Sequence, residues 1–340
     1  MNYDALLVVS FGGPESRDDV IPFLENVLGG RNVPRERMLA VAEHYYHFGG
    51  KSPINQQTRE LISAIEQELA QHGAKLPVYW GNRNWHPMLA DTLSRMKQDG
   101  IHRALAFVTS AYSSYSGCRQ YRENISKAQL EVGTGAPEVD KLRIFFNHPG
   151  FIEATESRLR DALQELPAVA RENVQIIYTA HSIPVSMANT SDYVGQLEEV
   201  RRLVSARLGI SNDALVYQSR SGAPGQPWLE PDILDYLREV KTRNLARAVV
   251  LAPIGFISDH MEVLYDLDVE AKHICDSLSL PMVRAKTVGV HPSFVAMIRE
   301  LILERTNPNS ERRSLGSLGP RQDICTENCC PAPHRPRPIG

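Results

Sequence analysis

Eight short apolar runs recur along the chain with helical patterns between most of them, and this cadence restricts the fold more than any other feature. The runs fall at 5–10, 78–80, 104–108, 142–146, 174–178, 214–217, 248–251 and 282–285, and read as strands buried on both faces. Amphipathic patterns lie between them, as at 59–71, 88–98, 152–166 and 232–241, and a helix is expected from about Ser16. Strands alternating with helices pack as parallel sheets, so the class is α/β, and four runs plus four suggest two similar lobes around a central cleft. After 307 the cadence stops, in a Gly/Pro/Arg-rich stretch holding Cys325, Cys329 and Cys330. Without a crosslink or metal, that tail is expected to be disordered.

At 340 residues the chain is long enough for two lobes, each with its own core. Lys+Arg 37 against Asp+Glu 40 gives a formal net charge of -3, which leaves no basic footprint for nucleic acid. The longest apolar run, near 248–257, is broken by Pro253 and Gly255 and falls short of the ~20 residues a membrane span needs. The first residues lack the positive stretch of a signal peptide, and five cysteines, three of them crowded at the end, do not form a secreted disulfide framework. The expectation is a cytoplasmic protein without a transmembrane segment.

Chemistry concentrates after the strand runs. Read as an α-helix, 258–270 places Glu262, Asp266 and Glu270 at successive i, i+4 positions. Like charges in one stripe repel, so the stripe is either a solvated face or a surface that handles a cation. Its left flank favours the second, because ligands of open α/β sheets bind outside the carboxyl ends of strands. His181 follows the fifth run and would share a cleft wall with Glu262. An imidazole there can hold a divalent metal or take protons near neutral pH. Dinucleotide, P-loop, serine-hydrolase and zincin patterns are all missing.

Five motifs in order, Ser10-Phe-Gly-Gly-Pro-Glu15, Gly49-Gly-Lys-Ser-Pro-Ile54, Thr179-Ala-His-Ser-Ile-Pro184, Pro227-Trp-Leu-Glu-Pro231 and the segment 253–268, together closely resemble ferrochelatases over residues 3 to 305. The resemblance implies two Rossmann-like lobes with four-stranded parallel sheets, divided as 1–112 plus 289–308 and 113–288, with a cysteine-bearing tail at 309–340. It implies insertion of Fe2+ into a porphyrin held in the cleft, with release of two protons. By position, His181 matches the family's cleft histidine, metal ligand and proton acceptor, and Glu262 the carboxylate facing it. Asp266 and Glu270 match an outer metal path. Ser52 and Tyr121 match porphyrin contacts, Arg31, His44 and Tyr45 match its rim, and Phe11 stands where some relatives carry a residue able to ligate the metal. The polar, basic segment 29–38 and the likeness to soluble actinobacterial members favour coproporphyrin III over protoporphyrin IX. Other readings in view are a chelatase for another metal and a bilobed carrier of haem or metal.

Three tail thiols suit an iron-sulfur centre or zinc, with a fourth ligand from the folded body. Cys118 lies where the resembling cluster-bearing ferrochelatases supply an internal cysteine to a 2Fe-2S centre, whereas Cys275 reads as a core thiol.

Overall fold

The computed structural model describes residues 3–29, 33–221 and 225–332. The first sheet contains β1 (Ala5–Ser10), β2 (Val78–Asn82), β3 (Arg103–Val108) and β4 (Glu138–Lys141) in the order β2-β1-β3-β4. The second contains β5 (Val174–His181), β6 (Asp213–Gln218), β7 (Ala248–Ala252) and β8 (Met282–Arg284), in the order β6-β5-β7-β8. Every pairing is parallel, and the two orders are the same permutation. The expected α/β class with paired four-stranded sheets is therefore observed.

The strands read as continuous apolar runs because each feeds two cores. Along β1, Leu6 and Val8 face one core and Ala5, Leu7 and Val9 the other. Along β5, Ile176, Tyr178 and Ala180 face the first of these cores, and Ile177 faces a third. The core that takes Leu6 and Tyr178 is common to both lobes, so the sheets share one hydrophobic interior.

Helices α1 (Val20–Leu28), α2 (Arg35–His47), α3 (Ile54–Gln71), α4 (Leu89–Gln98), α5 (Gln120–Val132), α6 (Pro149–Glu165), α7 (Tyr193–Leu208), α8 (Ile233–Thr242) and α9 (Pro292–Thr306) carry most of the crossovers and packing. In α3 the buried residues Ile54, Thr58, Leu61, Ile65 and Leu69 make a single stripe. Helix α9 packs on both α3 and α6 and so bridges the lobes. The pair α1–α2 has a small core of its own, with Val20, Phe23, Leu24, Met38 and Ala42, against which Phe11 and Trp85 pack. The first helix starts at Val20, not near Ser16.

The run 142–146 is not the fourth strand. Ladder pairing with β3 belongs to 138–141, and only the Leu142 N–H continues it, donating to the Ala106 carbonyl at 2.9 Å. Phe145 and Phe146 enter the shared core instead, where Phe145 packs against Phe107, Phe151 and Phe294 at centroid distances of 5.3, 5.7 and 5.8 Å. Burial, not pairing, explains why that run is apolar. Strand β4 completes the first sheet, and Tyr121, Ile125 and Ala128 of the helix before it share a core with β1 and β3.

Over its described residues, to 332, the tail is docked, contrary to expectation. Buried Asn147 donates to the carbonyls of Leu315 at 3.2 Å and Gly319 at 2.8 Å, Arg143 donates to the Arg313 carbonyl, and Ser317 N–H reaches Glu199. Arg143 is also paired with Glu304, the two side chains being 1% and 2% exposed. Polar groups buried in the body need partners, and the tail backbone supplies them.

Candidate active site

His181 is the last residue of β5, in register with Gln218 at the end of β6. Its carbonyl accepts from the Tyr193 phenol at 3.0 Å, and its Nδ1 is hydrogen-bonded to the Ser182 carbonyl. That bond makes Nδ1 the donor and turns Nε2 toward Glu262, whose Oε1 lies 3.5 Å away. Gly255 allows the neighbouring loop to close on this strand end: a Cβ there would stand 2.7 Å from the Ala180 Cα.

Glu262 opens the acidic stretch, its N–H capped by His260 Nδ1 at 3.2 Å. From Leu264 to Ala271 the helix is a π-helix, not the expected α-helix. The reason is legible in its inner face: Val263, Leu267, Ala271 and Cys275 all lie in one core, four residues apart each time. In an α-helix each such step leads by about 40°, and three steps would carry the row off the core. The wider π turn keeps that row inward. It also holds Glu262, Asp266 and Glu270, one position earlier each time, in a companion row along the cleft side.

Electrostatics divide the acids. Burial alone would push His181 down, but the Glu262 charge and hydrogen bond, the Ser182 carbonyl and Asp266 lift it to about 9. Burial raises Glu262, and the imidazolium of His181 with the His260 charge overrides it, to about 2. Asp266 is raised to about 7, chiefly by burial and then by Glu262 and Glu270, against the Ser219 hydroxyl that donates to it. Burial and Asp232 raise Glu270 less. The row thus sets an always-ionised carboxylate, Glu262, beside one that titrates near neutrality, Asp266.

The rim residues from the other lobe meet this row. His44 of α2 stacks on Tyr265 of the π-helix at 3.7 Å between centroids and 8° between planes. Tyr45 is half-buried against Phe23, and its phenol is raised, by desolvation first and then by the Glu262 charge. Phe11 packs edge-on against Phe23 at 6.3 Å, and it offers no ligating atom. Ser52 and Tyr121 are buried, at 3% and 4% exposure. Arg31 lies outside the described residues.

Several residues here were not singled out from sequence. Gln218 Nε2 donates to the Glu262 carbonyl at 3.0 Å and to Asp266 at 3.3 Å. The Arg83 guanidinium lies 4.4 Å over the Tyr121 ring and 5.6 Å over the Phe11 ring. Both follow strand runs, the one signal that marked them. His260, within the segment read for its acids, was a further visible candidate.

The four cysteines also converge. Cys118, in a π-helical turn at Tyr115–Arg119, is hydrogen-bonded to Cys325, Cys325 to Cys329, and Cys329 Sγ lies 3.5 Å from Cys330 Sγ. Arg119 donates to the carbonyls of Glu327 and Cys329, fixing the loop. Cys275 is remote, in the core behind the acidic row. Among the described residues no three His, Cys, Asp or Glu side chains form a ready metal cage.

Two parallel lobes, with a histidine–carboxylate pair and an acidic row at the strand ends between them, define a metal-handling enzyme of the two-lobed chelatase type. The fold is similar to the sirohydrochlorin chelatase SirB of Bacillus subtilis in complex with cobalt, at TM-score 0.55 and 11% identity, covering 91% of this chain and 98% of that one. The ferrochelatase family model matches residues 3–306. A ferrochelatase of Rhodopirellula baltica is 55% identical, covering 99% of this chain and 96% of the relative. A coproporphyrin III ferrochelatase of Streptomyces coelicolor is 51% identical with the same coverage. The chain belongs to the ferrochelatase family, enzymes that insert metal into porphyrin.

Proposed function

We propose that the protein inserts Fe2+ into coproporphyrin III, giving the iron coproporphyrin of haem biosynthesis. Near-full-length identity of 46–51% to relatives named coproporphyrin III ferrochelatase supports the substrate. The observation that carries the mechanism is the His181–Glu262 pair at 3.5 Å, opposite the first lobe. Exposed Arg35 and Arg37 on α2 would meet the acidic groups of a porphyrin with four propionates.

Insertion exchanges two pyrrole N–H protons for one dication. His181 accepts protons at Nε2, and Glu262 keeps a fixed negative charge that first draws the metal and then steadies the imidazolium. Asp266 and Glu270 extend the charge outward as the route for iron inward and protons outward. Borderline Fe2+ suits this mixed nitrogen and oxygen set. Ser52 and Tyr121 support the wall, and Phe11, His44 and Tyr45 line the rim; a bound macrocycle must displace the His44–Tyr265 stack.

The two lobes act as the functional units and the cysteine tail as an appendage. Cys118, Cys325, Cys329 and Cys330 would hold a 2Fe-2S cluster, which would supply one-electron redox chemistry. The thiols meet pair by pair, Cys118 with Cys325, Cys325 with Cys329 and Cys329 with Cys330, and all-cysteine ligation is the donor set such a cluster takes. Free thiols throughout suit a reducing cytoplasm.

Anaerobic insertion assays with Fe2+, comparing coproporphyrin III and protoporphyrin IX, test the reading. We expect a clear preference for coproporphyrin III. Preference for protoporphyrin IX overturns the substrate, and no insertion into either makes the protein a carrier. Visible absorbance of protein purified without air, lost in Cys329→Ser, tests the cluster.

A further inference from the structure

The peptide that leads into the acidic row is held from the opposite lobe by one side chain. Gln57, on α3, donates from Nε2 to the Asp259 carbonyl at 3.1 Å and accepts at Oε1 from the Asp259 N–H at 2.8 Å. One amide therefore satisfies both backbone groups of a residue 202 positions away, as a strand partner would. The Asp259 side chain is fixed in turn from its own lobe. Oδ1 accepts from Arg284 Nη1 at 3.0 Å and from the Thr287 N–H at 3.4 Å. Arg284 also grips Asp268, on the π-helix, with bonds of 2.6 and 2.8 Å. Residue 259 is thus the knot between α3, the end of β8 and the acidic row, three positions before Glu262.

We propose that Gln57 is a positioning residue for metal insertion: by clamping Asp259 it fixes where Glu262 stands across the cleft from the first lobe. The inference rests on the reading of the His181–Glu262 pair as the insertion site. His181 is held by the second sheet, so the pair's spacing depends on what anchors the other partner. Arg284 anchors it within the second lobe, and Gln57 alone ties that peptide to α3 among the described contacts. A group that has to meet a macrocycle lying between lobes needs its register set from both sides, because a shift near 1 Å can lower a rate about a hundredfold. Glutamine suits the task because it carries a donor and an acceptor at once. Glutamate would keep only the acceptor, and methionine, of similar length, neither.

The test is steady-state insertion by full-length wild type, Gln57→Met and Gln57→Glu, with kcat and the KM values for Fe2+ and for coproporphyrin III obtained separately. Folding is followed by melting temperature, and the competent fraction by fluorescence titration with the porphyrin. We expect kcat per competent site to fall at least tenfold in Gln57→Met and less in Gln57→Glu, with porphyrin KM within about twofold. A merely structural glutamine would lower the melting temperature or competent fraction and leave kcat per site unchanged, which would overturn the proposal. Should Gln57→Met fail to fold, Gln57→Glu is read by the same criterion. A wild type that inserts no iron overturns the underlying site reading, whereas an active wild type with an unaffected Gln57→Met overturns the role of Gln57 alone.

Discussion

Replacing Glu262 by glutamine isolates what its charge does to His181. The paired atoms lie 3.5 Å apart, a separation worth roughly 5 kcal/mol at an effective dielectric of about 20. Both side chains are partly open to water, at 30% and 45% exposure, so about half of that survives screening, which is about two pK units. His181, lifted to about 9 in the native protein, should then titrate near ~7 in Glu262→Gln, with Ser182 and Asp266 still supporting its cation. Carbon-labelled histidine NMR across the pH range, with His181→Asn for assignment, reads the shift directly. The stability signs follow. The raised His181 contributes fully below its ordinary 6.5 and loses that contribution as pH rises through about 9. The lowered Glu262 contributes fully above 4.5 and loses it as pH falls toward about 2. The melting-temperature gap between native protein and variant should therefore be widest between pH 4.5 and 6.5 and close toward 9. Turnover should fall about a hundred- to a thousandfold. A midpoint that stays near 9 in the variant would refute the argument, since Glu262 would not be what holds the proton.

Two further substitutions probe what positions the pair and the tail. Gly255→Ala places a methyl 2.7 Å from the Ala180 Cα and Cβ, so the end of β5 must yield. We expect a loss of about 1–3 kcal/mol in stability and a fall in insertion rate greater than global unfolding explains, measured by denaturant titration beside kcat. Arg143→Met strands Glu304 in the interior, where the pair is 1% and 2% exposed, and should cost about 3–5 kcal/mol. It also frees the Arg313 carbonyl, so limited proteolysis should cut the tail sooner, and adding Glu304→Leu should restore much of the stability but not the docking.

The fold was legible wherever an apolar run carried its own period, and it misled where burial without pairing imitated a strand. Residues 142–146 look like a strand because five buried positions in a row serve an aromatic core as well as they would serve a parallel sheet. The acids of the π-helix were legible as a row, but reading them on an α-helix missed that Val263, Leu267, Ala271 and Cys275 repeat every four residues without the compensating three. That strict repeat was the available signal. The docking of the tail was not legible, because it depends on carbonyls meeting Arg143 and Asn147, and backbone groups carry no sequence. Gln57 was equally silent: a single glutamine on an amphipathic helix has no pattern, and its partner is a peptide group rather than a side chain.

At the proposed insertion site, iron and proton would compete for the same imidazole, and that competition would give the site its direction. In the metal-free protein His181 is held near 9, so at neutral pH it carries the proton it must lose before it can accept one. A dication about 5 Å away raises the energy of that imidazolium by roughly 7 kcal/mol at an effective dielectric of about 20, or about five pK units. Arrival of the metal would therefore empty His181, and Asp266, raised to about 7, lies next along the row to pass the proton outward to solvent. Glu262, near 2, cannot take it and remains the metal's counter-charge. The expected outcome is release of about one proton per metal bound before any porphyrin is present, read at pH 7 by calorimetry in two buffers of different ionisation enthalpy. The same release should vanish in His181→Asn. Binding of metal with no proton release in the native protein would mean that His181 already stands neutral, and the charge pair would then be a product of burial alone.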